Sequence, residues 1–241
     1  MKKILTIILA AGMSSRMKDG KTKCIKKIDG QETIIRRMIR QQLDLFNSQM
    51  IYISTGYQSK EYESLNSYNV KTVLNDMYRV DKNINSCFLC LDRAFLEKTS
   101  FDYVMIVEGD VVISDKDAEI IKNQINQKDI APVIFVEKEN NTNRNRVGCI
   151  DTSGTCYIRE KESLDDRMTG IFLIDVKTSK YLLEKQEILI KESGMNFYYF
   201  QPFLRGSDCK IKFKKVYLNK SFTINNQKEY EWAKMNLATS N

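Results

Sequence analysis

The chain has 241 residues, of which 42% are hydrophobic and 29% charged, and this composition excludes extended disorder and collagen-like or low-complexity architectures. Its 38 basic and 31 acidic residues give a net charge of +7, which suits a compact phosphate ligand. No run exceeds two consecutive lysines or arginines, and this disfavours a nucleic-acid tail or a polybasic membrane anchor. The absence of histidine excludes an imidazole base and zinc sites with histidine ligands.

Strand and helix patterns alternate along the chain, which predicts one α/β domain over residues 1–241 with a mostly parallel sheet and helices on both faces. Two β-prone runs around a Thr-Ser-Gly turn predict a hairpin at 147–158, which adds a small antiparallel β extension. The other predicted elements, in chain order, are a strand at 3–9, a helix at 32–46, strands at 50–55 and 70–74, a helix at 86–97 opened by a Ser86 cap, a strand at 102–107, a helix from 115 to 127, a strand at 171–174, a helix at 178–192 and a strand at 211–218.

The N-terminus combines Lys2 and Lys3 with the apolar run 4–11, a pattern also typical of a signal peptide. We interpret it as a buried strand, because a Gly/Ser loop follows and no later apolar stretch approaches the roughly 20 residues of a membrane span. We therefore expect a cytoplasmic protein. Its six cysteines are scattered through apolar stretches, which favours free buried thiols, and the spacing of Cys87 and Cys90 favours the buried face of a helix over a redox pair.

The loop after the first strand has the composition of a phosphate-binding loop. A glycine with small neighbours lets backbone N–H groups approach phosphate oxygens, and Arg16 and Lys23 can neutralise a triphosphate as pyrophosphate leaves. The alternative is a Gly-Ser turn beside solvated cations, and spacing alone supports the two interpretations about equally. The candidate nucleotide-binding residues of the loop are Leu9, Ala10, Ala11, Gly12, Met13, Ser14 and Ser15.

This stretch resembles the signature of the nucleotidyltransferase superfamily with the Rossmann-like, glycosyltransferase-A-type fold. The resemblance implies a Rossmann-like sheet, a nucleotide held by the loop, and catalytic roles for Arg16 and Lys23. The family commonly has proline before the motif lysine, whereas this chain has Thr22, a change that bears on the stiffness of the loop and not on its charge.

A second motif is the hydrophobic strand that ends in Glu108 and Asp110. A carboxylate at the carboxyl end of a strand points into the crevice where α/β sheets bind ligands, and it can hold Mg²⁺ there. In the resembled family the position of Asp110 binds the metal; the alternative is an aspartate that starts a turn. We expect Glu108 to face solvent or a neighbour instead of the metal.

The resemblance extends to Asn225, which stands where relatives usually carry a second metal-ligating aspartate. An amide oxygen can coordinate Mg²⁺ without charge, so the metal is either held more weakly or assisted by another acid such as Asp208. The alternative is that Asn225 only caps the last helix.

A third block resembles the hairpin, Glu-Lys pair and Thr-Gly strand of sugar-phosphate nucleotidyltransferases. Glu160, Lys161 and Gly170 match these positions, which implies that they bind the acceptor and that Lys161 also acts in catalysis on the acceptor phosphate. Taken alone, the run Arg-Glu-Lys-Glu at 159–162 is typical of a solvated face.

Asn83 and Ser86 match the pattern of bacterial phosphocholine cytidylyltransferases and related enzymes that activate small phosphorylated amines or phosphonates with CTP. Their polar side chains are suited to read the cytosine edge or the triphosphate, with a helix cap as the alternative for Ser86. The aromatic residues at 197–200, with Phe203, are suited to a quaternary ammonium cage, but core packing is favoured, and adjacent aromatics leave only one or two to line a pocket.

Together these motifs predict an Mg²⁺-dependent transfer of CMP from CTP to a small phosphorylated or phosphonate acceptor, such as phosphocholine or aminoethylphosphonate, with release of pyrophosphate. No protein nucleophile is required, because the acceptor oxygen is already anionic. The expected partners are CTP and the acceptor, without nucleic acid or membrane. The alternatives are a sugar-1-phosphate nucleotidyltransferase and a catalytically weak nucleotide-binding regulator.

Overall fold

The computed structural model describes residues 2–15, 17, 20–128, 130, 132–137, 147–150, 156–159, 166–204, 211–219 and 221–238. The helices of these ranges are α1 (Ile34–Asp44), α2 (Ile84–Leu96), α3 (Asp115–Ile125), α4 (Val176–Ser193) and α5 (Gln227–Ala238), with short 3-10 helices at Lys23–Ile25, Ser59–Leu65 and Gln201–Phe203. The strands are β1 (Ile4–Leu9), β2 (Lys27–Asp29), β3 (Glu32–Thr33), β4 (Ser48–Thr55), β5 (Val70–Leu74), β6 (Tyr103–Glu108), β7 (Val111–Val112), β8 (Val133–Glu137), β9 (Val147–Ile150), β10 (Cys156–Arg159), β11 (Asp166–Asp175), β12 (Lys214–Leu218) and β13 (Phe222–Thr223).

The central sheet has the strand order β5-β4-β1-β6-β11-β8-β12, in which β11 alone runs antiparallel to its neighbours. Strands β9 and β10 form an antiparallel extension that joins the sheet through the start of β11. The mostly parallel Rossmann-like sheet with a small antiparallel extension is therefore confirmed. The Thr-Ser-Gly turn predicted between β9 and β10 lies outside the described residues.

Both faces of the sheet are covered by helices because both faces of its strands are apolar. All six residues of β1 are buried, with Ile4 and Ile8 packing on the side of α1 and α3 and with Leu5 and Ile7 packing on the side of α2 and α4. The N-terminal apolar run is thus the central strand of the fold. No helix in the described part of the chain is both long and apolar enough to cross a membrane.

The parallel strands β1, β4 and β6 end at the same edge of the sheet, where Leu9 is level with Ser54 on one side and with Glu108 on the other. The antiparallel direction of β11 brings the first half of that strand to this edge as well. Residues from distant parts of the chain therefore meet there, as expected for a ligand site in an α/β sheet.

The described cysteine side chains are buried and free, namely those of Cys24, Cys87, Cys90 and Cys156. Burial raises the pKa of the Cys24 thiol to about 11 and that of Cys87 to about 12, so both remain protonated near neutral pH. The prediction of free buried thiols is confirmed for these four residues.

Candidate active site

A cavity of about 680 Å³ opens at the carboxyl edge of the sheet. The candidate residues that line it are Leu9, Ala10, Ala11, Gly12, Ser14, Ser15, Lys23, Asn83, Ser86, Asp110, Gly170 and Asn225. Met13 is the exception in the nucleotide loop, because it does not line the cavity and is 42% exposed. Arg16, Glu160, Lys161 and Asp208 lie outside the described residues.

The loop after β1 is bonded to the segment that carries Lys23. The Ser14 hydroxyl accepts a hydrogen bond of 2.9 Å from the Lys23 backbone N–H, and Ser14 has a φ of 51°. No atom lies within 4 Å of the position that a Cβ would take at Gly12, so this face of the loop is open. The backbone of this loop and the Lys23 ammonium therefore line the same cavity, an arrangement suited to binding phosphate oxygens.

Thr22, at the position where the resembled family commonly has proline, is held by hydrogen bonds. Its backbone N–H, which proline lacks, donates to Gln58 Oε1 at 2.9 Å, and the side-chain amide of Gln58 donates to the Gly20 carbonyl at 3.2 Å. Thr22 is fully buried, and its hydroxyl lies 3.3 Å from the Tyr62 hydroxyl. The turn before Lys23 is therefore braced by side chains from the region after β4.

We expect Gln58→Ala to lower kcat by about tenfold or more, because small misplacements of a catalytic group are costly even when the mutated residue is remote. The change should be partly rescued by Thr22→Pro in the same chain, since proline restricts the backbone without needing Gln58. Steady-state kinetics of the single and double variants measure this, with the exposed Gln49→Ala as control. Equal kcat in Gln58→Ala and wild type would remove Gln58 from the positioning of Lys23.

Asp110 and Lys23 form a partly buried ion pair in the cavity. The Lys23 ammonium also donates to the Ile224 carbonyl at 2.8 Å. Pairing of β7 with β13, continued by a 2.9 Å bond from the Ile224 N–H to the Asp110 carbonyl, brings the segment of Asn225 alongside Asp110. The two candidate metal ligands, which are 115 positions apart in the sequence, therefore line one cavity.

These residues fit a divalent cation that is shared with a nucleotide. The Lys23 ammonium already occupies a cation position between the Asp110 carboxylate and the Ile224 carbonyl. The described residues contain no cluster of three or more Asp, Glu, Cys or His side chains suited to hold a metal alone. Mg²⁺ is typically bound by one or two carboxylates together with substrate phosphates, so a sparse set of protein donors suits it.

The helix-cap role considered for Asn225 belongs to its neighbour. Asn226 Oδ1 accepts a 3.0 Å bond from the Glu229 N–H at the start of α5, and the Glu229 carboxylate accepts a 2.6 Å bond from the Asn225 N–H. The Asn225 side-chain amide instead donates to the Thr223 carbonyl at 3.0 Å and lines the cavity. Helix capping therefore does not account for the Asn225 side chain.

Restoring the carboxylate with Asn225→Asp should lower the Mg²⁺ concentration needed for half-maximal rate, because carboxylates bind hard cations more strongly than amides do. A shift of several-fold is expected in Mg²⁺ titrations of the initial rate. Asn226→Asp is the matched control, since aspartate caps a helix as well as asparagine and should leave the titration unchanged. An unshifted curve for Asn225→Asp would contradict the metal role.

The polar residues at the start of α2 are organised by Asp81 and not by a Ser86 cap. The helix begins at Ile84, and the Asp81 carboxylate accepts bonds of 3.0 Å from the Asn85 N–H and 2.9 Å from the Ser86 N–H. The Ser86 hydroxyl donates to Asp81 at 2.8 Å and accepts from Asn75 at 2.9 Å. Ser86 lines the cavity but is only 3% exposed, and its hydroxyl is engaged by these two partners within the protein.

Asn83 joins the start of α2 to the aromatic segment that follows α4. Its Oδ1 accepts a 2.7 Å bond from the Tyr199 N–H, and the residue lines the cavity. The backbone N–H groups of the residues on either side of Asn83 donate to the carbonyls of Met195 and Phe197, each at 3.2 Å. We name these three bonds the α2 tether.

Glu108 lines the cavity, and its side chain lies against the backbone of Gly170. Gly170 makes this position possible, since it has a φ of 80° and a Cβ there would come within 2.9 Å of Glu108 Cδ. Burial, with the nearby Asp110 charge, raises the pKa of the Glu108 carboxyl to about 7. The sequence pattern predicts a strand only at 171–174, whereas β11 spans Asp166–Asp175 and therefore includes Gly170.

Aromatic side chains form the wall beyond Glu108. Phe172, Tyr198, Tyr199 and Phe200 line the cavity, whereas Phe203 lies in the core. Three residues of 197–200 therefore line the site, more than the one or two expected. The rings of Tyr199 and Phe200 pack against Phe172 of β11, Phe200 in a stacked arrangement at 6.0 Å, and the ring of Tyr198 stacks on Phe200.

The fold and the contents of this cavity define a nucleotidyltransferase. Residues 6–159, more than half of the chain, match the family described as the MobA-like NTP transferase domain, and the chain belongs to this family. It is a nucleotidyltransferase enzyme, and nucleotidyltransferases of this family generally use a divalent metal. No curated protein sequence matches the chain significantly.

Solved structures with the same fold include three nucleotidyltransferases. The CTP:phosphocholine cytidylyltransferase from Streptococcus pneumoniae has a TM-score of 0.72 and 16% identity, with 98% of this chain and 100% of that chain covered. A putative glucose-1-phosphate thymidylyltransferase from Bacillus anthracis has a TM-score of 0.67 and 19% identity, with 97% and 95% covered. The inositol-1-phosphate CTP transferase from T. maritima has a TM-score of 0.67 and 15% identity, with 95% and 94% covered.

Proposed function

We propose that the protein transfers CMP from CTP to a small phosphorylated or phosphonate acceptor and releases pyrophosphate in an Mg²⁺-dependent reaction. The observation that carries the proposal is the single cavity lined by the loop after β1, the Lys23–Asp110 pair, Asn225 and Gly170. Its volume of about 680 Å³ is in the usual range for ligand sites. Two of the three similar structures are named as CTP-dependent enzymes that act on small phosphorylated compounds.

In this proposal an acceptor oxygen attacks the α-phosphorus of CTP, and the bond from that phosphorus to the bridging oxygen of the β-phosphate breaks. The attacking oxygen is already anionic, so no protein base or nucleophile is required, in agreement with a chain that lacks histidine. The chain accelerates the reaction by aligning the two substrates and stabilising negative charge.

The proposed roles follow the position of each residue. The loop at 9–15 binds the triphosphate, through those of its backbone N–H groups that are not bonded within the sheet, and Arg16 and Lys23 neutralise the charge on the departing pyrophosphate. Asp110 and Asn225 would hold Mg²⁺, which when bound neutralises phosphate charge. Asn83 contacts the nucleotide. Glu160, Lys161 and Gly170 form the acceptor side of the site.

Pyrophosphate release tests the proposal directly. The purified protein is incubated with Mg²⁺, each of the four NTPs and a panel of phosphorylated amines, phosphonates and sugar 1-phosphates. Turnover with CTP and a phosphorylated amine or phosphonate supports the proposal. Turnover with a sugar 1-phosphate alone would assign the protein to the activity of the thymidylyltransferase-like neighbour, and no turnover with any pair would favour a nucleotide-binding regulator.

A further inference from the structure

Glu108 presents a carboxylate to the cavity that no described group neutralises by contact. Within the described ranges its carboxylate makes neither a hydrogen bond nor an ion pair. Arg167, which lines the same wall, pairs with Glu137 at 3.2 Å, and Lys23 pairs with Asp110, so these two cations act on Glu108 through space and not by contact. A carboxylate in a buried wall is costly without a contacting partner, so a cationic group on a ligand would stabilise its charged form.

The position of this carboxylate is specified by the backbone opposite it. Gly170 adopts a left-handed conformation with a φ of 80°, and the three atoms nearest to a hypothetical Cβ there all belong to the Glu108 side chain, at 2.9 to 3.0 Å. Any larger residue at position 170 would therefore displace the carboxylate. The absence of a side chain at Gly170, in the middle of β11, is therefore what allows Glu108 to lie in the cavity wall.

The aromatic wall beside Glu108 is not an open cage for a cation. The rings of Tyr198 and Phe200 lie parallel at 5.4 Å, and those of Phe200 and Phe172 lie parallel at 6.0 Å. Phe172 and Tyr199 are 0% exposed and Phe200 is 6% exposed, so their faces are covered by one another. The ring of Tyr198 already has the Lys82 ammonium 5.4 Å from its centroid.

The Glu108 carboxylate and the covered aromatic faces together distinguish a primary from a quaternary ammonium group as the ligand. A quaternary ammonium has no N–H donor and is bound through open aromatic faces. A protonated primary amine has three N–H donors and is bound by oxygen acceptors such as a carboxylate. The cavity wall offers carboxylate oxygens and closed ring faces, and it therefore suits the primary amine.

We propose that Glu108 binds a protonated primary amine on the acceptor, so that the substrate class is a small phosphate or phosphonate bearing such an amine and a quaternary ammonium is disfavoured. This assignment rests on the function proposed above. Glu108 is then a specificity residue on the acceptor side, two positions before the candidate metal ligand.

The test is a methylation series with constant phosphate chemistry: O-phosphoethanolamine, its N-methyl and N,N-dimethyl derivatives, and phosphocholine, each with CTP and Mg²⁺. We expect kcat/KM to fall along the series, by at least tenfold from the first member to the last, the scale of one hydrogen bond between charged groups. Glu108→Gln keeps the size of the side chain and removes its charge. It should lower kcat/KM for phosphoethanolamine by at least tenfold and should reduce the preference for it over phosphocholine, while the exposed Glu63→Gln changes neither.

Phosphocholine used as well as or better than phosphoethanolamine would overturn the assignment and leave the proposed function intact. Absence of pyrophosphate release with every acceptor and every NTP would overturn both. CTP binding to Glu108→Gln, measured by calorimetry, reports whether that variant is folded. If it is not, the methylation series on the wild-type protein decides the question.

Discussion

Replacing Asp110 with asparagine is expected to lower the rate of pyrophosphate release by about a thousandfold or more, the upper end of what the loss of one charge-stabilising group costs. Asparagine keeps the shape of the side chain but removes the full carboxylate charge from the candidate metal site. The Lys23 ammonium loses its counter-charge at the same time, since the two side chains are paired in the cavity. Initial rates over a range of Mg²⁺ concentrations measure the effect.

The fold should survive this substitution, because the backbone carbonyl of Asp110 still accepts the bond from the Ile224 N–H. Asp44→Asn on the exposed side of α1 is the matched control and should retain wild-type rate. A folded Asp110→Asn protein with wild-type rate at limiting Mg²⁺ would contradict the assignment of Asp110 to the metal.

Replacing Lys23 with methionine is expected to lower the rate on the order of a hundredfold or more, because the ammonium is proposed to stabilise charge on the departing pyrophosphate. The same change should strengthen, or at least not weaken, the binding of Mn²⁺ in the absence of nucleotide. The reason is that the Lys23 ammonium occupies a cation position beside Asp110 and competes with the metal for it.

Measuring both the rate and the Mn²⁺ affinity distinguishes the role of Asp110 from that of Lys23. Asp110→Asn should lose both turnover and metal affinity, whereas Lys23→Met should lose turnover alone. Mn²⁺ binding followed by electron paramagnetic resonance gives the affinity without turnover. Lys27→Met, at an exposed position of the next strand, is the control. Weaker Mn²⁺ binding in Lys23→Met would contradict the competition, and an unchanged rate would remove Lys23 from the chemistry.

The architecture was predictable because periodicity and burial are local properties of the sequence. The apolar run of β1 and the 3.6-residue pattern of α1 both appear where they were expected, with ends that differ by at most two residues. The start of α2 was misplaced by two residues, because its N–H groups are capped by Asp81 from outside the helix and not by a residue at the helix start. Such a cap is a matter of loop conformation, which propensities do not encode.

Those site residues that directly follow a predicted strand could be predicted from the sequence, namely Asp110 and the loop after β1. The environments of Glu108, Asn83 and Ser86 were not, because each depends on a partner distant in sequence or on competing hydrogen bonds. Asn83 is bonded to a residue 116 positions away, and Glu108 is placed by a glycine in the antiparallel strand. The sequence signal for Glu108 is Gly170, which lies directly before the predicted strand at 171–174 but in the middle of β11 in the structure.

The α2 tether has a consequence for how the enzyme can change its specificity. It connects the residue proposed to face the nucleotide with the aromatic wall beside the acceptor through bonds of 2.7 to 3.2 Å, two of them between backbone groups that no side-chain substitution removes. A change in the packing of the aromatic wall is therefore expected to shift Asn83 as well. With the roles proposed above for the wall and for Asn83, a substitution that alters the acceptor preference should also alter the binding of the nucleotide.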